Sequence, residues 1–216
     1  MVRFFRPRLG YIATITAVAG LLSIGARAGE RFTDLQLDQL TPEQQKIVTM
    51  LVTPPRNGKI TNPPFNVFAR SPALGVLLLQ LSDYVRFNSS LPPRLSEFAI
   101  MIAARQWSQL YEWRAHYPLA IKGGLAHAVL ADLGANKRPA GMKDDETALY
   151  EFCMEIYRNK NVSDATFQAA LSKFGERGIM DLIGIIGYYD LVSMTLLTEM
   201  AAGTPGDEPP LLPMTR

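Results

Sequence analysis

The chain has 216 residues, of which 48% are hydrophobic and 19% charged, with a formal net charge of +2. That length and balance suit one globular domain with a core of its own, and exclude a strongly charged or low-complexity chain. The basic residues are scattered and are not interleaved with aromatic ones, so a nucleic-acid groove is not expected.

In chain order, a basic stretch, MVRFFRPR, leads into a 17-residue apolar run, LGYIATITAVAGLLSIG, and then ARA, ending at Ala28. Small residues at Ala26 and Ala28 form an A-x-A-like cleavage site. The pattern predicts a signal peptide over residues 1–28, with a mature chain of 188 residues, periplasmic or secreted. The alternative is an uncleaved N-terminal anchor, for which the apolar run falls just short of a comfortable span. Export would place the chain in an oxidising compartment, yet the single cysteine, Cys153, excludes an intrachain disulfide. Its neighbours in LYEFCMEIY predict a thiol buried on a helix face.

Beyond the leader, TPEQQKIVTMLV predicts a helix that starts after Thr41, with Pro42 at its first position. The proline-rich segment that follows reads as a wrapping loop, apolar enough in PPFNVF to pack. A broad-faced helix is expected from about Ala73 to Phe87. SSLPPRLSEFAIMIAAR gives a start signal at Ser90 and an apolar run, Phe98 to Ala104, that is hydrophobic on every side and therefore central. Ser108 is the expected cap of the next helix, and the Gly123-Gly124 pair its stop. Further helices are expected over LAHAVLADLG, over residues 144–159 and from a Ser163 cap to a Gly175 stop, before a long apolar helix to about Met200. No period-two alternation is present, so the fold class is all-α. The last residues, GTPGDEPPLLPMTR, cannot continue a helix and read as an extended or disordered tail over 204–216.

Three residues carry the chemical interest. Glu97 lies one turn into the all-round apolar helix, where a carboxylate needs a partner unless it stays near water at the helix N-terminus. Glu112 and His116 are four apart and share a helix face. A carboxylate beside an imidazole raises its pKa and orders its tautomer, which makes a general acid or base; a surface ion pair is the plainer account. The aromatic crowd of Trp107, Tyr111, Trp113 and Tyr117 argues for burial. Pro118 removes the amide that would bond the carbonyl of Arg114, so a local kink there either opens a pocket or only accommodates packing. The chain's other histidine, His127, has no H-x-x-x-H spacing and there is no cysteine cluster, so no metal site is expected; no glycine pattern of a nucleotide loop occurs, so no cofactor is either. Tyr188, Tyr189, Asp181 and Asp190 read as buried hydrogen-bonding groups, with substrate contact as the alternative.

Taken together, LPPRLSEFAIMIAARQWSQLYEWRAHYPLAIKGGL resembles the core motif of the carboxymuconolactone decarboxylase and alkylhydroperoxidase-D-like (AhpD-like) superfamily, through Arg94, Glu97, His116, Ala120 and Gly124. The resemblance runs over about residues 38 to 200. It implies an AhpD-like helical domain over residues 29–203 that assembles as a homo-oligomer, a trimer or hexamer. The peroxidase branch carries a Cys-x-x-Cys pair; here those positions are Gln109 and Glu112, so dithiol chemistry by that route is closed. The decarboxylase branch is the nearer match. It implies a cofactor-free enzyme acting on a small organic acid or lactone, with His116, Glu97 and Glu112 catalytic and Arg94, Tyr111 and Trp113 as substrate contacts. The alternatives are an alkylhydroperoxidase-like antioxidant enzyme and a non-catalytic binding or assembly protein on the same scaffold.

Overall fold

The structure, a computed structural model, describes residues 31–214. The expected signal segment lies outside the described residues. After a short 3-10 turn at Leu37–Gln39 come eight helices: α1 (Pro42–Val52), α2 (Phe65–Phe68), α3 (Pro72–Phe87), α4 (Pro93–Gln106), α5 (Leu110–Gly123), α6 (His127–Gly134), α7 (Asp144–Asn159) and α8 (Asp164–Glu199). There is no strand among the described residues, and the fold is all-α.

Helix α4 is the axis of the molecule. Every residue from Phe98 to Arg105 is buried, which only a helix surrounded on all sides can achieve, and α5, α6, α7 and α8 pack around it. The largest core cluster joins Phe98, Met101 and Ile102 of α4 to Leu149, Phe152 and Cys153 of α7 and Leu182, Ile185 and Val192 of α8. A smaller cluster of Ile47, Leu51, Ile60, Ala69 and Leu79 ties α1 and the proline-rich loop to α3. α8 is long and apolar enough to cross a membrane by length and composition, yet more than half of its most apolar stretch is buried in this core.

Local signals place the ends of the elements. Thr41 and Gln44 form a reciprocal capping box at α1, with Pro42 at its first position. Ser163 caps α8 by accepting from Thr166 N, and Gly175 breaks that helix at φ 65°, ψ 177°, a conformation open essentially to glycine alone. α5 stops at Gly124, φ 97°. Its preceding residue, Gly123, permits the close approach of α5 to the start of α4: a Cβ there would stand 3.1 Å from Arg94 N.

Three details differ from expectation. Ser108 does not cap α5; it takes a left-handed φ of 49° in the connection, and Gln109 caps instead, its Oε1 accepting from Tyr111 N at 2.7 Å. Ser90 does not open α4, which starts at Pro93 behind Pro92; its N–H and hydroxyl both donate to Asp181 Oδ2, at 2.7 and 2.6 Å. The C-terminal tail is extended but is held rather than disordered. The buried indole N–H of Trp113 donates to Pro209 O at 2.7 Å, Arg114 Nε to Glu208 at 3.0 Å and Leu212 N to Gly134 O at 3.0 Å. Prolines preset an extended backbone, and the fully buried indole needs an acceptor, so ordering the tail costs little entropy and satisfies a donor.

Ending the chain after Gly203 should therefore lower the unfolding free energy by about 1–3 kcal/mol, the cost of stranding a buried donor, and shift tryptophan emission to the red as Trp113 meets water. An unchanged denaturation midpoint would show that the tail is not part of the fold.

Candidate active site

The site is assembled from the antiparallel pair α4 and α5. Glu97 sits one turn into α4, and Glu112 and His116 lie one turn apart on α5, with all three turned inward. Glu97 Oε2 is 2.7 Å from His116 Nδ1. A carboxylate only accepts, so Nδ1–H is the donor and the imidazole's orientation is fixed. On the other ring nitrogen, Nε2 lies 3.2 Å from Glu112 Oε2. That distance suits an ion pair, but the contact lacks the direction of a hydrogen bond, and Glu112 Oε2 has no hydrogen-bond partner among the described residues although it is fully buried. Tyr189 meets the imidazole edge-on, with ring centroids 5.0 Å apart.

Burial pulls the His116 pKa down, but the charge and hydrogen bond of Glu97 together with the close carboxylate of Glu112 outweigh it and hold the pKa up at about 9. His116 is therefore an imidazolium at neutral pH. Burial raises the phenols of Tyr111 and Tyr188 to about 12 and pushes that of Tyr189 well above its usual value, so all three are neutral there.

His116 and Glu112 open onto a cavity of about 140 Å³. Its walls come from four parts of the chain: Pro63, Pro64 and Phe65 of the proline-rich loop; Ser82 and Arg86 of α3; Tyr111, Ala115 and Leu119 of α5; Tyr188, Tyr189 and Val192 of α8; Arg56 completes them. Glu97 is not on this wall. It faces a separate cleft with Pro92, Arg94, Leu119 and Lys122, and reaches the cavity only through the histidine.

Two expected substrate contacts lie elsewhere. Trp113 is fully buried on the far side of α5, against Gly134 and the tail. Arg94 is taken up by the acidic first turn of α7, with Asp145 at 2.7 Å and Glu146 as second partner. The Asp145 hydrogen bond, which outweighs the opposing burial, holds the guanidinium pKa above its usual value. Tyr111 does line the cavity. The arginines of the wall, Arg56 and Arg86, carry no local motif; only the fold brings them to the histidine. Tyr188 and Tyr189 turn out to be wall residues, whereas Asp181 and Asp190 are structural acceptors, the latter bonded by Trp107 Nε1 and Tyr157 OH. His127 bonds Tyr117 OH at 2.6 Å, and among the described residues no group of three or more His, Cys, Asp and Glu side chains is arranged to hold a metal ion.

No model of a known family and no curated protein matches the sequence. Solved structures do match in three dimensions. A peroxidase-related protein from a Silicibacter species aligns with a TM-score of 0.60 at 16% identity, over 85% of this chain and 96% of its own. A protein of unknown function from Agrobacterium tumefaciens, with a suggested AhpD antioxidant-defence role, gives 0.58 at 15%, over 65% and 97%. The chain has the AhpD-like fold. A third match is a variant of the debrominase Bmp8 in complex with 2,3,4-tribromopyrrole, with a TM-score of 0.56 at 14% identity, over 81% and 92%.

Within this AhpD-like fold the charged histidine is linked to stability. The folded pKa of His116 lies above the unfolded value near 6.5, so its contribution is complete below about pH 6.5 and lost as pH rises through about 9. Chemical denaturation of the natural chain and His116→Gln across that window should show the natural chain alone losing stability. Parallel curves would mean that the imidazole is not charged in the folded state.

Proposed function

We propose that the chain is a cofactor-independent enzyme of the decarboxylase-like kind, using His116 and Glu112 to move a proton on a small organic acid or lactone. The observation that carries this reading is the imidazolium, held by Glu97 and paired with Glu112, whose Oε2 accepts no hydrogen bond, at the wall of a small cavity that opens to solvent. Glu112 Oε2 has the imidazolium as its counter-ion but accepts no hydrogen bond, and the hydroxyl or acidic C–H of a substrate would supply one. His116 Nε2–H is the general acid: as electron density builds on a conjugated carbonyl or enolate, whether by loss of CO2, proton abstraction or ring opening, the proton passes from Nε2 to the substrate. Glu112 accepts a substrate proton or steadies the imidazolium, and Glu97 is a positioning residue that orients the ring from behind.

The cavity's size supports a small substrate, since about 150 Å³ suffices for one benzene ring. That the AhpD-like debrominase was solved with a single five-membered ring supports the same scale. The antioxidant alternative has less behind it. Gln109 is occupied as a helix cap and Glu112 faces His116, where a dithiol pair would have to stand. Cys153 is buried, and burial pushes its thiol well up, away from a reactive thiolate. Assembly into a homo-oligomer is part of the proposal, and the exposed row Leu74, Leu77 and Leu81 on α3 supports it. So is export, which rests on the sequence of residues 1–28.

On a panel of small lactones and unsaturated acids, His116→Ala should abolish turnover while leaving the far-ultraviolet dichroism of the folded chain. Glu112→Gln should lower turnover and move the alkaline limb of the pH profile to lower pH, because the histidine loses a charge that raises its pKa. Turnover by His116→Ala within about tenfold of the natural chain would refute the assignment of the acid. Cys153→Ala should leave that turnover within a small factor; loss of a thiol-dependent peroxide reduction on that change would restore the antioxidant reading.

A further inference from the structure

Two arginines line the cavity, and their situations differ. Arg56 is already neutralised: its Nε and Nη2 donate to Asp83 Oδ1 at 3.2 and 2.6 Å, and its guanidinium lies over the rings of Phe65 and Phe87, 5.7 and 5.8 Å from their centroids. Arg86, one turn after Ser82 on the same face of α3, is half-buried and lies 5.1 Å over Phe87. None of the ion pairs among the described residues involves it, and the nearest acid in sequence, Asp83, is engaged by Arg56. A half-buried guanidinium at a cavity wall, backed by an aromatic ring and left without an anion, is an incomplete ion pair.

The rest of the wall says what would complete it. Phe65, Tyr111, Tyr188 and Tyr189 offer ring surfaces, and the three phenols are neutral donors. The carboxylate of Glu112 stands at the imidazole end and would repel a second negative charge placed beside it.

Resting on the proton-transfer reading of the same site, we propose that Arg86 anchors the carboxylate of a single-ring, monoanionic acid whose reacting end meets His116 and Glu112. The guanidinium supplies a fork of parallel N–H donors that matches a carboxylate, and the aromatic walls hold the ring flat between the anchor and the acid. Arg86 is in this account a specificity residue: it selects an acid over a neutral ring of the same shape and sets which end of the ligand faces the histidine.

The test is equilibrium binding of benzoate and its neutral isostere benzamide to the full chain by titration calorimetry. The natural chain should bind benzoate saturably, at least about tenfold more tightly than benzamide. Arg86→Gln should weaken benzoate by about tenfold or more and leave benzamide unchanged, whereas Arg86→Lys, which keeps the charge but loses the fork, should retain a reduced preference for benzoate. Equal affinity of the natural chain for the two probes, no saturable benzoate binding in the millimolar range, or undiminished benzoate binding by Arg86→Gln would overturn the proposal. The comparison of the two probes on the natural chain stands even if Arg86→Gln does not fold. Because no turnover is read, an inert His116 would defeat the proton-transfer reading without altering this result.

Discussion

A charged imidazole held between two carboxylates inside a helical core is the constraint on which the rest of the structure depends. Removing any of these groups from water costs several kcal/mol, and only close, oriented partners return it. Glu97 comes from α4 and His116 from α5, so the 2.7 Å contact between them exists only while the two helices lie antiparallel and near. The connection through Ser108 and the bare Cα of Gly123 at the opposite end set that spacing. Tyr189 of α8 closes the ring's remaining side, which ties the last long helix to the same point. The buried polar cluster thus specifies how three helices pack, and the packing in turn keeps the histidine charged.

The cluster is also asymmetric. On one side of the imidazole, Glu97 forms a directed hydrogen bond and opens to a cleft of its own; on the other, Glu112 keeps an oxygen without a hydrogen bond at a cavity walled by arginine, tyrosine and phenylalanine. In the proposed reaction the first side orients the ring and the second side meets the substrate. Such a division lets the acid be protonated and aimed before a ligand arrives, so little reorganisation is needed at the moment of proton transfer.

Much of this was legible in the amino-acid sequence, and the failures have a common cause. The i,i+4 spacing of Glu112 and His116, the carboxylate stranded in the most apolar helix and the Gly-Gly stop are local signals, and each has its structural counterpart. Trp113 is the instructive error. At roughly 100° per residue, the cavity-facing sector of α5 runs through Tyr111, Ala115, Leu119, Glu112 and His116, and Trp113 falls outside it, so nearness in sequence is not nearness in space. The ion pairing of Arg94 is not legible locally, because its partners, Asp145 and Glu146, lie 51 and 52 residues away in another helix. Arg86 and Arg56 passed unnoticed for the same reason in reverse: only tertiary packing brings α3 and the proline-rich loop to the histidine. For the tail, composition leaves extended and disordered backbone as equal readings, because it does not show that a buried indole needs the Pro209 carbonyl.

The proposed chemistry requires His116 to be a charged acid at neutral pH within a folded, ligand-free chain. Nitrogen-15 NMR of histidine-labelled protein measures this directly, because a ring protonated on both nitrogens is distinguished from either neutral tautomer. His127, exposed and removable by substitution, can be separated from the signal of interest. Both His116 nitrogens should carry protons at pH 7, and the ring should titrate near pH 9. A neutral His116 at pH 7, with a midpoint at or below 6.5, would contradict this requirement.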